Sequence, residues 1–248
     1  MGFDYNKTMK ILLAPSKSQD PKSITLELPH RPLLDERFSR QVMAQLKQLD
    51  RSQLAQVMHL RESLADEVYR LIHAFKPTLS SRKPALWHYT GVVYDQLSPD
   101  DYTVTQRTYI DEHLRILSAL YGLVHPYTPI WAYRLDFTMK LNLGLKAHWK
   151  PRITEALKNE DLILDLSSQE FASLLDPKHL KIHRVEFGQV KDGKLAIIST
   201  FAKQARGALA HQLILQGVTT IEELRSLSVM DYRVDLERST DQLTWFIR

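Results

Sequence analysis

This sequence predicts an α+β (mixed α/β) fold: a single domain whose mixed, partly antiparallel sheet is flanked by helices. Three observations predict it. The apolar runs KILLA at 10–14 and LILDL at 162–166 read as strands enclosed on both faces. Stretches with apolar residues at helical spacing lie between them. Late in the chain, Asp192-Gly193 separates two apolar runs, 185–190 and 195–199, and Asp-Gly suits the type I′ turn of an antiparallel hairpin. Strands and helices alternate unevenly, which favours a mixed sheet over a regular doubly wound one.

Periodic apolar sequence starts at Met9, so residues 1–8 read as a loose extension and 9–248 as the domain. The first strand ends at Pro15-Ser16-Lys17. Residues 19–35 are proline-rich and irregular, with a short extended piece at 24–28. A helix is expected over 34–48, and a second after Asp50 or Ser52 that breaks near His59. Beyond it Leu60, Leu64, Val68, Leu71, Ile72 and Phe75 keep helical spacing. Pro77 and Pro84 bracket a loop, and the aromatic stretch 86–94, with Gly91 inside it, suits a strand or an irregular pocket wall. Ser98-Pro99-Asp100-Asp101 reads as a helix start. Its stripe runs through Ile110, Leu114, Leu117 and Tyr121 until Gly122 ends it.

Ser167-Ser168-Gln169-Glu170 has the residues of a capping box opening a short helix. A helix over 202–216 is closed by Gly217, and Thr220 with Glu223 caps another. Tyr232, Val234 and Leu236 alternate, as do Leu243, Trp245 and Ile247, which predicts a closing hairpin over Ser239-Thr240-Asp241.

Composition narrows the function. The chain has no cysteine, which excludes disulfides, thiolate metal sites and a cysteine nucleophile. No apolar run approaches the roughly 20 residues that span a bilayer, and MGFDYNKTMK lacks the apolar core of a signal peptide. A cytoplasmic location away from membranes is therefore expected. The net charge of +4 permits phosphate-rich partners. The eight glycines are scattered and form no strand-linked dinucleotide fingerprint, so no cofactor is expected. No metal is expected either. HExxH is absent, and although His179 and His183 are four apart, Lys181 to Glu186 reads as a strand, which puts the pair at unfavourable geometry.

Four clusters carry candidate chemistry. Ser16 and Lys17 follow the first strand, and α/β sheets bind ligands at strand ends. Arg134, on an irregular segment beside Tyr133 and Asp136, presents a planar fork suited to phosphate or carboxylate. Lys203 and Arg206 lie three apart near a helix start, where both reach the same anion or form a solvated face. Ser167 and Glu170 are either a hydroxyl and carboxylate at a strand end or the two halves of a cap.

In order, KILLAPSKSQ (10–19), Gly91-Val92-Val93-Tyr94, Ser118-Ala119-Leu120-Tyr121-Gly122, Pro126, Tyr133-Arg134-Leu135-Asp136, Trp149, 166–171 and Ala202-Lys203-Gln204-Ala205-Arg206-Gly207 together resemble the YaaA family of peroxide stress proteins. Each motif is weak alone, but their shared order runs over nearly the whole chain from Met9. The resemblance implies a cytoplasmic bacterial protein tied to surviving hydrogen peroxide through limited intracellular iron. It also implies a positively charged cleft that binds double-stranded DNA, with a helix-hairpin-helix element near 52–75. Residues 59–63 of that element contain no glycine.

Two readings follow. In the first, Lys17, Arg134, Lys203 and Arg206 converge on one DNA-binding cleft shaped by Tyr94, Tyr121 and Trp149, without catalysis. In the second, the cleft belongs to an enzyme for a small phosphorylated or nucleotide-like ligand, with Glu170 as acid or base beside Ser118 and Tyr121.

Overall fold

The computed structural model describes residues 9–20, 22, 28, 29, 31–76, 83–139, 141, 143–191 and 193–248. The expected extension 1–8, most of the extended piece at 24–28, the loop 77–82 and the turn residue Asp192 lie outside them.

Strand β1 (Met9–Leu13) is an interior strand of the main sheet, paired on both sides. Ile11, Leu12 and Leu13 are completely buried, because layers of structure cover both faces of the strand. Each such side chain contributes on the order of 2 kcal/mol by leaving water. Strand β3 (Leu114–Ser118) runs parallel to β1 on one side, and β6 (Leu162–Asp165) runs parallel on the other. Ile11 sits opposite both Leu114 and Leu164. Beyond β6 come β7 (Ile182–Lys191) and β11 (Leu243–Ile247), also parallel.

The margins are antiparallel. β4 (Gly122–Val124) folds back on β3, and β8 (Lys194–Ala196) folds back on β7. β10 (Tyr232–Thr240) pairs with β11, and β9 (Ser228–Val229) with β10. The order across the sheet is β4-β3-β1-β6-β7-β11-β10-β9. β2 (Lys83–Pro84) and β5 (Pro129–Ile130) make a separate ribbon. The fold is α+β, as the sequence predicts, with both hairpins in place.

The first helix, α1 (Glu36–Leu46), starts where the Asp35 side chain accepts the Phe38 N–H, and it buries Val42, Met43 and Leu46. α2 (Arg51–Val57) and α3 (Glu62–Ala74) meet at His59, the expected break. His59 has φ +51°; its N–H reaches Gln56 O and the Leu60 N–H reaches Ala55 O. This is a Schellman ending, built here on a histidine where glycine is usual. The 86–94 stretch is the irregular alternative: one helical turn, α4 (Ala85–His88), then Gly91 at φ +94° and a 3₁₀ turn at Tyr94–Gln96.

Two expectations fail between 98 and 121. The helix does not start at Ser98. The Asp100 carboxylate is taken by Trp87 Nε1 at 2.7 Å, and α5 (Val104–His113) opens instead on a capping box of Thr103 and Gln106. The helical stripe does not continue through Leu114 and Leu117, because these residues form β3. Leu114, Ile116, Leu117 and Ser118 are all buried, so the strand shows no alternation that would distinguish it from a helix.

The remaining helices are α6 (Leu145–Leu157), α7 (Gln169–Ala172), α8 (Ser199–Gln216) and α9 (Ile221–Ser226). Gly217 closes α8 at φ +66°, and Thr220 with Glu223 caps α9 as expected. The Ser167–Glu170 capping box does not form: Ser168 is the N-cap of α7 and makes no side-chain cap bond. No described helix is long and apolar enough to cross a membrane.

Candidate functional site

The strand order reverses around β1: the chain passes from β1 to β3 on one side, then to β6 on the other. Open parallel sheets leave a crevice outside the carboxyl ends of their strands at such a point. Here the crevice is a cavity of about 330 Å³. Ala14–Ser18 leave β1 along one wall, Gly91–Tyr94 form a second, Leu166, Ser168, Glu170 and Phe171 follow β6, and Lys203 and Arg206 enter from α8. A recess of about 40 Å³ continues from it between Lys17, Gln19, Arg134 and Asp136.

Four cations therefore share one place. Lys203 is exposed and makes no ion pair with any described residue. Lys17 is 61% exposed, with Nζ 2.6 Å from Asp136 Oδ2. Arg134 lines the recess, and its Nε is buried without an acceptor among the described residues. Arg206 is mostly buried; one terminal nitrogen donates to Glu186 Oε2 at 2.8 Å, while its Nε has no described partner. Glu186 in turn meets Arg184 at 3.2 Å, and Arg184 Nε lies 3.8 Å from Asp165. Alternating charges thus run from the cavity into the sheet.

The acids are fewer. Burial pushes the Asp136 carboxyl up, but hydrogen bonds from Lys17 and Thr138, with the lysine's charge, outweigh it and hold it below the ordinary aspartate value. Glu170 Oε1 accepts the Phe137 N–H at 2.8 Å, which is why it is not available to cap α7. Its other carboxylate oxygen has no hydrogen-bond partner among the described residues.

The structure brings together Ser16, Lys17, Tyr94, Glu170, Lys203 and Arg206 around the cavity and Arg134 at its recess. The other candidates stand elsewhere. Ser118 is wholly buried; its Oγ accepts the Leu120 and Tyr121 N–H groups and bonds Tyr133 Oη at 2.7 Å. Tyr121 donates its hydroxyl to Trp131 O, and Trp149 donates to Ala119 O while filling the space over Gly122. These three brace the turn after β3 and do not line the cavity. Ser167 is also buried, its N–H held by Asp165 Oδ1, so Ser168 faces the cavity in its place. The Tyr94 hydroxyl is committed to Ala14 O at 2.9 Å, so this residue acts as a wall.

Sequence reasoning missed Gln19. Its side chain receives the Tyr133 N–H and donates to the Tyr133 carbonyl, pinning the 133–136 segment across the recess. Gln19 was visible as the last letter of KILLAPSKSQ, but its partner lies 114 residues away. The sequence sets Asp136 beside Arg134, but its partner in the fold is Lys17.

A larger depression of about 500 Å³ lies along β6, β7 and α7. Its histidine, His183, is buried with Nε2 on Thr244 and Nδ1 on Asp241 O, so neither ring nitrogen is free for a metal. Among the described residues, no group of three or more His, Asp or Glu side chains is placed to hold a metal ion.

The family profile described as peroxide stress protein YaaA matches residues 9–238. The chain belongs to the YaaA family of peroxide stress proteins. It is 32% identical to a UPF0246 protein of Flavobacterium johnsoniae, over 97% of this chain and all of the relative. It is 35% identical to a UPF0246 protein of Streptococcus pneumoniae strain CGSP14, over 93% of this chain and 96% of that one. In this YaaA-family chain the segment 52–75 forms α2 and α3, and the groove beside them, which includes Arg51, Ser52, Leu60 and Glu62, shares no residue with the cavity.

Proposed function

We propose that this YaaA-family protein acts in the peroxide response by binding double-stranded DNA along the cationic mouth of the cavity, in the cytoplasm. The observation that carries this reading is the exposed Lys203, without an ion pair among the described residues, beside Lys17, Arg206 and Arg134, while Asp136 and Glu170 are the acids among the described residues that line the cavity and its recess. Phosphates would displace Asp136 from Lys17 and settle between the two lysines. Contacts of this kind position a duplex without reading its sequence. The link to limited intracellular iron, implied by the family, we read as indirect, acting through what the protein binds.

Fluorescence anisotropy of a labelled duplex across about 50 to 300 mM salt tests this, with log affinity falling by about 0.9 per neutralised phosphate for each decade of salt. Affinity independent of salt, or no binding at the lowest salt, would overturn it. One observation favours a second reading, a small phosphorylated ligand turned over in the same place. Phe171 and Tyr94, which line the cavity, are nearly buried, and one Glu170 oxygen has no hydrogen-bond partner among the described residues.

A further inference from the structure

A stacked duplex can lay its phosphates on Lys17 and Lys203, but it cannot enter a cavity of about 330 Å³. That volume is near the lower end of the roughly 300–1,000 Å³ range of small-molecule sites, room for one compact group. Beneath the lysines the walls change character. Val93, Tyr94, Leu166 and Phe171 make an apolar slot, and the last three are less than 10% exposed. Set into it are a free carboxylate oxygen on Glu170 and an arginine, Arg206, whose Nε lacks an acceptor among the described residues.

Apolar walls that include the aromatic residues Tyr94 and Phe171, one acceptor and one donor inside, and two cations at the entrance suit a planar heterocycle with N–H groups and ring acceptors, attached to a phosphate. We infer that the cavity takes a single nucleotide unit: the base in the slot, with an N–H on Glu170 and an acceptor on Arg206, and the phosphate between Lys17 and Lys203. The unit comes either from a DNA strand, swung out of its stack, or from a free nucleotide. Extrusion costs least where pairing is already broken. This deepens the DNA reading where the source is a strand, and stands without it where the source is free.

The experiment has two arms, both on the full chain. In the first, a duplex carrying 2-aminopurine opposite a one-base gap in pairing is titrated with protein at about 50 mM salt. Anisotropy of an end label is followed in parallel. The expected result is a several-fold rise in 2-aminopurine fluorescence as the anisotropy reaches its plateau. In Val92→Trp, which narrows the cavity at a residue 39% exposed, the rise is lost even when the protein concentration is raised until the variant's own anisotropy reaches its plateau. In the second arm, adenosine and guanosine monophosphate and the corresponding nucleosides are titrated calorimetrically. Nucleotides are expected to bind at least fivefold more tightly than nucleosides, and Lys203→Ala is expected to erase that preference.

Duplex bound with no fluorescence rise, and no nucleotide bound, overturns the inference and leaves the DNA reading intact. Nucleotide bound without duplex removes the DNA reading and assigns the cavity to a free nucleotide. Neither bound overturns both.

Discussion

Gly207 of α8 lies against the carbonyl oxygen of Val93, so closely that a Cβ at position 207 would stand 2.1 Å from it. The missing side chain lets the helix carrying Lys203 and Arg206 touch the loop forming the opposite wall of the cavity. Gly207→Ala would gain about 1 kcal/mol of helix propensity and lose more through the clash with backbone. A net destabilisation of about 1–3 kcal/mol is expected by denaturant titration, with anion binding weakened about tenfold as the walls part. Unchanged binding would mean that this contact does not shape the site.

Lys203 and Arg206 separate binding from folding. Lys203→Ala removes an exposed, unpaired cation, so stability should stay within about 0.5 kcal/mol while the salt slope of DNA binding falls by about one unit. Arg206→Ala strands the mostly buried Glu186, 17% exposed, beside Arg184 alone. A loss of about 3 kcal/mol is expected in the unfolding free energy, in addition to any loss of ligand.

Asp136→Asn releases Lys17. The variant keeps the acceptor for the Thr138 N–H but removes the competing anion, so a phosphate ligand should bind about three- to tenfold more tightly at low salt. Stability should move the other way. The folded carboxyl titrates below its unfolded value, so it stabilises above pH ~4 and loses that contribution as pH falls through the folded value. The wild type should therefore lose melting temperature below pH ~4 more steeply than the variant.

His88 sets a second acid response. Burial first, and then repulsion from Lys83, bring its pKa to about 4 despite the pull of Asp20. In the unfolded chain it protonates near 6.5, so between that pH and about 4 the unfolded state binds the extra proton. Stability is complete above pH ~6.5 and declines on acidification through that window, by about 3 kcal/mol at its lower end. His88→Gln should flatten this part of a pH–denaturation profile. His125, also lowered to about 4, contributes in the same direction and remains in the variant.

Gly122→Ala should be the most damaging single methyl group. At φ +74°, its Cβ would lie 2.4 Å from the indole of Trp149, a residue with no exposed surface. Left-handed strain of about 1–2 kcal/mol adds to overpacking, and a loss of at least about 3 kcal/mol is expected by urea titration.

What could be read from the sequence follows the range of the forces involved. Thr220 and Glu223 cap α9 across one turn, and Gly217 ends α8, so both were legible from neighbouring residues. Leu114–Ser118 was not, because burial on both faces erased the alternation of a strand. Ser98-Pro99-Asp100-Asp101 mimicked a helix start, but the helix opens on Thr103 and Gln106 while Asp100 accepts from Trp87, and Glu170 mimicked a cap while turning to Phe137, 33 residues earlier. At the site, charged residues were conspicuous by type. The roles of Ser118 and Trp149 as braces depended on partners that only the folded chain brings near.

The interior position of β1, paired on both sides, has a consequence for synthesis. Met9–Leu13 precedes every other described strand, yet its neighbours are separated from it by about a hundred residues on one side and about a hundred and fifty on the other. At some 5–20 residues per second, an apolar MKILL segment waits many seconds on the ribosome before either flank exists to cover it. Pairings this distant make folding slow, and they leave the nascent chain dependent on whatever shields that segment until β6 emerges.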